Sequence, residues 1–213
     1  MLHIVDHTNW CQFEPLLAAM YADRKRIFVD QLNWKLPITN ARYEIDQFDD
    51  DHAVYVIASD DRGNHLGSFR LLQSERPHIL DGLFAKLCDR PVPRGASIRE
   101  ITRFCVSPII ATEHRRPMRN RLISALVDHA LDRGITAVTG VVTTHFLNQI
   151  LAMGWNCEPL GKPLAACGVQ IGAFCAQIEQ TTLDRLTRNG IYSKNQCLKT
   201  SQFDMPAATM VSA

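Results

Sequence analysis

Glu100 and Arg103 stand inside one apolar, β-rich run, Ile98–Val106. Side chains alternate along a regular strand, so residues three apart face opposite ways. A β-bulge between them would return both to one face, and bulges gather next to active sites. A carboxylate and a guanidinium buried in mid-sheet lose hydration that their attraction repays only in part. The pair reads either as a structural ion pair or as a site. In a site, the carboxylate moves a proton while the arginine holds an anion.

Other charged residues stand in unusual company. Arg24 lies four after Met20 and four before Phe28, on an apolar helix face. Its charge either snorkels to water or meets a partner. Trp34 is a core anchor or the wall of a ligand pocket. The densest acidic stretch runs Glu44-Ile-Asp46-Gln-Phe-Asp49-Asp50-Asp51. Charge runs are usually solvated, but Tyr43, Ile45 and Phe48 interleave here and hold carboxylates near apolar surface. Arginine partners make that tolerable through charge-assisted hydrogen bonds, and Arg70 is one candidate. Arg115, Arg116, Arg119 and Arg121 crowd the start of a helix, against the macrodipole. That suits a docking anion, or a solvated helix end partly neutralised by Glu113.

These residues need a frame, and hydrophobic periodicity supplies it. Leu17, Met20, Tyr21, Ile27 and Phe28 predict a helix over 14–30, followed by an irregular stretch over 31–50. Residues 53–58 and 65–72 read as a hairpin joined by a Gly-containing loop. A strand over 98–106 closes at Ser107-Pro108. Met118, Leu122, Leu126, Ala130 and Ile123, Val127, Leu131 make one stripe of a helix over 115–133, with Gly134 as its C-cap. A buried strand over 135–142, a helix over 145–153 and strands at 155–158 and 169–178 complete the order. This order predicts an α/β fold, a three-layer αβα sandwich around one mixed sheet. Residues 1–192 form a single domain, and 193–213, rich in Ser, Thr, Asn and Gln, are expected to be a mobile tail.

The 213 residues carry 46% apolar and 21% charged side chains, with a net charge of +1, so no global field draws the chain to nucleic acid or membrane. The basic residues form one short cluster without the aromatic interleaving of a nucleic-acid stripe. No apolar run is long enough to span a bilayer, and the N-terminus lacks the pattern of a signal peptide. Seven cysteines, an odd number with no C-x-x-C pair, read as reduced thiols in a cytoplasmic protein. Eight histidines show no ligand spacing, so neither a metal nor another cofactor is expected.

Taken in order, Arg24-x-x-x-Phe28, Trp34, Glu44-x-Asp46-x-x-Asp49, Arg70, Phe84 and Glu100-x-x-Arg103 resemble the signature of the LuxI-type acyl-homoserine lactone synthases. The likeness runs from about residue 20 to 178. It implies a GNAT-like αβα sandwich whose central strands splay into a V-shaped cleft. It also implies a reaction between S-adenosylmethionine, as substrate, and an acyl thioester on acyl carrier protein or coenzyme A. The α-amine takes the acyl group, and the methionyl carboxylate then closes on its own γ-carbon. Methylthioadenosine leaves, and a quorum-sensing signal is released.

On this resemblance Glu100, Arg103 and Asp46 are the catalytic residues, with Glu100 the base. An α-amine has a pKa of about 8 and needs only modest help. Arg24, Phe28, Trp34, Asp46 and Arg103 would bind S-adenosylmethionine, the aromatics through cation–π contact and Arg24 or Arg103 at its carboxylate. Glu44, Asp49 and Arg70 would order the loop over the cleft. Phe84, Phe104, Val106, Thr143, Thr144 and Phe146 would line the acyl pocket, with Thr143 ahead of Thr144 as the residue that meets a 3-oxo group. Arg115, Arg116, Arg119 and Arg121 would dock the carrier. Two rivals stand beside this reading. An acetyl-CoA-dependent acetyltransferase is disfavoured because residues 107–117 lack the glycines of a pyrophosphate loop. A non-catalytic sensor of S-adenosylmethionine or acyl chains is disfavoured by the presence of Glu100, Arg103 and Asp46.

Overall fold

The computed structural model describes residues 1–166 and 168–194, together with the backbone of 198–199. Strand β1 (Leu2–Val5) opens the chain. Helix α1 (Glu14–Arg24) runs directly into a π-helical turn, Lys25–Gln31. The short β2 (Ile38–Thr39) and β3 (Tyr43–Glu44) pair with each other inside the stretch read as irregular. The hairpin β4 (Val54–Ser59) and β5 (His65–Gln73) follows, then the one-turn α2 (Ile79–Gly82) and β6 (Ile98–Val106). Helix α3 (Thr112–Asp132) begins three residues before the sequence pattern suggests and carries Pro117 inside it. After β7 (Ala137–Thr143) come α4 (Thr144–Leu151), β8 (Cys157–Pro159), β9 (Leu164–Ala166), β10 (Val169–Gln177) and α5 (Gln180–Arg188).

Within the stretch expected to be a tail, Leu198–Lys199 forms β11, parallel to β1; residues 195–197 and 200–213, and with them Cys197, lie outside the described residues, as does Cys167. Gly134 adopts φ +64 just past α3, the left-handed position that a helix-ending glycine takes. No described helix is long and apolar enough to cross a membrane.

The strands form one mixed sheet in the order β11-β1-β4-β5-β6-β7-β10-β8, with β9 also on β10. Alternation along β4 sends Tyr55 and Ile57 to the α1 face and Val56 and Ala58 to the face of α3, α4 and α5. The layers are therefore α, β and α, a GNAT-like sandwich. Among the described residues the only interior parallel pair, β6 with β7, sets the site. Its register runs from Ile98–Ala137 to Glu100–Thr139 and then stops, although β6 continues to Val106 and β7 to Thr143. The two strands splay beyond Glu100.

Candidate active site

On the α1 side of the splay lies a cleft of about 380 Å³. One wall carries Trp34, Asp46 and Phe48, the floor carries Glu100, Thr102 and Arg103, and the apolar far wall includes Phe84, Val141, Thr143 and Ile171.

β6 delivers three polar side chains to this floor because it carries the expected bulge. Its register with β5 slips between Ser68–Cys105 and Arg70–Thr102, and Arg103 sits at φ +52. A bulge inserts one residue and redirects its side chain. Arg103 thereby joins Glu100 and Thr102 on the cleft face. Left-handed backbone is strained for a residue that carries a Cβ and is retained where surroundings over-determine it. Here the guanidinium is gripped by Glu44 (Nη2 to Oε1 2.9 Å) and Asp46 (Nη2 to Oδ2 2.6 Å).

Those bonds belong to a network of three arginines and three carboxylates. Arg24 donates to Glu44 at 2.6 Å and, bidentately, to Asp49 at 2.8 Å. Arg70 donates to Asp46 at 2.7 and 3.1 Å and to Thr102 at 3.0 Å. Tyr55 adds a hydroxyl donor to Asp49 at 2.9 Å and receives one from Tyr21. Charges balance within the cluster, the condition under which buried ions are tolerated. Burial alone would raise the pKa of Asp49, but the Arg24 and Arg70 guanidiniums outweigh it and hold this carboxyl below the usual range.

Glu100 is different. Its carboxylate is fully buried and accepts the backbone N–H groups of Ile79 at 2.8 Å and Leu80 at 2.9 Å, the first turn of α2. Burial nevertheless dominates and pushes its pKa up to about 7, although those amides and the nearby Arg70 and Arg103 pull the other way. A carboxylate poised there exchanges protons at neutral pH.

Several expectations are corrected. Arg24 is 1% exposed and spends its donors on Glu44 and Asp49, so it does not reach the cleft and cannot hold a substrate carboxylate. It shares the network with Glu44, Asp49 and Arg70. Phe28 is buried, stacked on Trp34 at 5.2 Å and covered by the Arg103 guanidinium at 5.7 Å; it backs the cleft, and Trp34 alone of the two lines it.

Phe104 and Phe146 lie on the opposite face of the sheet, in a small apolar cavity of about 30 Å³. Ile101 and Val142 line both spaces and partition them. Val106 packs in the core beneath α3, and Thr144 begins α4; neither lines the cleft or the small cavity. Thr143 lines the cleft while its hydroxyl accepts the Phe146 N–H at 3.4 Å, capping α4. Of the arginines at the start of α3, Arg115 donates to the carbonyls of Val106 and Ser107, and Arg119 to Gln149 and Asn120. Arg116 stays exposed and Arg121 half-buried.

The amides of Ile79 and Leu80, the Phe48 wall and the tyrosine pair are absent from the sequence reading. Backbone donors carry no residue signature, and Tyr21 shows in sequence only as an apolar helix position.

A sheet opened between two parallel central strands, with a buried carboxyl at the opening, is the architecture of the N-acyltransferase fold. The model of the autoinducer synthase family matches residues 11–186, and the chain belongs to that family. It is 34% identical over 178 residues to an acyl-homoserine-lactone synthase of Ralstonia nicotianae, covering 78% of this chain and 87% of that one. Among solved structures it is similar to MesI, a CoA-dependent acyl-homoserine lactone synthase (29% identity, TM-score 0.81, covering 91% of this chain and 97% of that one). It is also similar to BjaI, solved with SAM and isopentyl-CoA (27% identity, TM-score 0.81, covering 91% of this chain and 90% of that one).

Proposed function

We propose that the chain makes an N-acyl-homoserine lactone from S-adenosylmethionine and an acyl thioester, and that it works in the cytoplasm. The observation that carries this is the Glu100 carboxyl, with a pKa of about 7, on the floor of a cleft lined by a charged half and an apolar half. The charged half suits the methionyl group: Asp46 and the Trp34 face meet the cationic ammonium and sulfonium. Arg103 keeps Nη1 without a hydrogen bond among the described residues, and it faces the carboxylate. The apolar half, with Phe84, Val141 and Ile171, takes the acyl chain.

The order of events follows from these positions. The α-ammonium loses a proton to Glu100, directly or through a water. The amine nitrogen attacks the thioester carbonyl, and collapse of the tetrahedral adduct expels the thiol, which takes up a proton. One methionyl carboxylate oxygen then attacks the carbon attached to the sulfonium. The carbon–sulfur bond breaks, its electron pair stays on sulfur, and neutral methylthioadenosine leaves as the lactone closes.

Coenzyme A is the favoured thioester carrier because the MesI and BjaI structures are described as CoA-dependent. Acyl carrier protein is the alternative, and Arg116 and Arg121 suit the phosphates of either. The test is methylthioadenosine release from S-adenosylmethionine with a panel of acyl-CoA and acyl-carrier-protein thioesters, the lactone being identified by mass. Release that depends on the thioester supports the reading. Acetylation of a different amine without methylthioadenosine release would favour the plain acetyltransferase, and binding without turnover the sensor.

A further inference from the structure

A second buried polar cluster lies outside the cleft, where α1, β5 and the end of β6 meet. Asp23 Oδ2 accepts the Ser107 hydroxyl at 2.5 Å and faces His65 Nδ1 at 2.8 Å. His65 Nε2 faces Ser68 Oγ at 3.0 Å, and Ser68 Oγ lies 3.6 Å from the Cys105 sulfur. The set contains Asp, His and Ser in hydrogen-bonded order. Ser68 is 1% exposed and lines neither cavity, so no substrate reaches it and the arrangement is not nucleophilic. Burying these groups costs hydration, and a fully satisfied network returns positional definition.

Its location says what is being positioned. Beyond Glu100 the strand β6 has no register partner in β7, and past the bulge it is held within the sheet from the β5 side alone, by the pairing of Cys105 and Val106 and by the Ser107 N–H on the Leu66 carbonyl at 2.9 Å. This end of β6 forms one wall of the splay and carries Arg103. Besides the grip of Glu44 and Asp46 on Arg103, it is secured from outside the sheet at the corner after Val106. Asp23 holds the Ser107 hydroxyl from α1, and Arg115 of α3 donates to the Val106 carbonyl at 3.2 Å and the Ser107 carbonyl at 3.3 Å. Asp23 directly precedes Arg24 and the π-turn that sets Phe28 and Trp34. One carboxylate thus joins the wall bearing Trp34 to the strand bearing Glu100 and Arg103. Burial alone would raise the Asp23 pKa, but the His65 and Ser107 hydrogen bonds outweigh it and keep the carboxyl below its ordinary value.

We infer that Asp23, through Ser107, is a positioning residue that clamps the end of β6 on its splayed side, where β7 no longer pairs with it, and so fixes the alignment of the two walls for acyl transfer. In a two-substrate cleft, small misalignment slows the chemical step without abolishing binding.

The inference rests on the acyl-transfer reading, so wild-type methylthioadenosine release is measured first; its absence with every thioester overturns both. Ser107→Ala removes one hydroxyl and leaves Asp23 bonded to His65 and Arg26. The expected result is a kcat about tenfold lower per folded molecule with KM for S-adenosylmethionine within twofold. Asp23→Asn should show a similar fall, and the double variant should be no worse than the poorer single one. A Ser107→Ala kcat within twofold of wild type, whatever its melting temperature, would show that the cluster only supports the fold. If Asp23→Asn does not fold, Ser107→Ala alone decides.

Discussion

Thr102 and Arg103 are consecutive on β6, yet both side chains reach the cleft, because Arg103 adopts φ +52 while Thr102 keeps the regular alternation from Glu100. This puts a guanidinium over Glu44 and Asp46 at once. A lysine in its place keeps the charge but presents one ammonium where the planar fork spans two carboxylates. Arg103→Lys is expected to lower kcat/KM on the order of 10²-fold with the fold retained, because Glu44 keeps Arg24 and Asp46 keeps Arg70. Steady-state methylthioadenosine release with a matched melting curve checks this. Activity within threefold of wild type would show that a point charge suffices.

Glu100 gives a pH dependence with two signs. As a base it acts when ionised, so kcat should rise with pH through about 7. Glu100→Gln should remove that limb and on the order of 10²-fold or more of turnover while S-adenosylmethionine still binds. Stability runs the opposite way. Below its ordinary value of 4.5 the carboxyl is protonated in both folded and unfolded chains. Between 4.5 and about 7 the unfolded chain ionises while the folded one keeps its proton, so stability falls as pH rises through that window. The loss is at most about 3 kcal/mol and should be missing in Glu100→Gln. Melting temperatures of both proteins from pH 5 to 8 report it, and parallel curves would contradict a raised pKa.

Legibility from sequence follows the physics of each element. Period-two and helical apolar patterns announce β4, β5, β6, α1 and α3, because each buries one face. β1 and α5 leave weaker marks: β1 is four residues long and buried on both faces, and α5 is polar over most of its surface. The bulge is anticipated from Glu100 and Arg103 because two charges in one strand must share a solvent or a site. Phe104 fails for the same reason that Arg103 succeeds. The extra residue restores alternation beyond it and sends Phe104 to the α3 side, where it stacks on Phe69 at 6.0 Å. Arg24 is visible as an anomaly but not in its role, since its partners arrive from residues 44 and 49 on a separate loop.

Ile101 and Val142 separate the cleft from the small cavity around Phe104 and Phe146. Ile101→Ala should open one space into the other and shift preference toward longer acyl chains by several carbons. The cost is on the order of 2 kcal/mol or more in stability. Relative kcat/KM across a series of straight-chain thioesters measures it. An unchanged chain-length optimum would place the acyl terminus elsewhere on the cleft wall.

Thr143 stands at two demands: the residue lines the cleft, and its hydroxyl caps α4. Thr143→Val should reduce the ratio of 3-oxo to unsubstituted acyl transfer and also cost about 1 kcal/mol through the lost cap. Thr143→Ser keeps the oxygen and should preserve both. A ratio that is the same in all three proteins would leave the hydroxyl with the cap alone.

Arg115 and Arg119 are committed to intramolecular acceptors, so a carrier's anionic groups should fall to Arg116 and Arg121. Reversing both to Glu should raise KM for carrier-linked thioester about tenfold at low salt, with kcat little changed. Salt should shrink the difference, because exposed charges are screened within about 10 Å at 0.1 M ionic strength. A short acyl thioester lacking the phosphates should show no such change. An equal rise for that minimal donor would mean that the double variant disturbs the cleft through α3 and that carrier docking lies on another face.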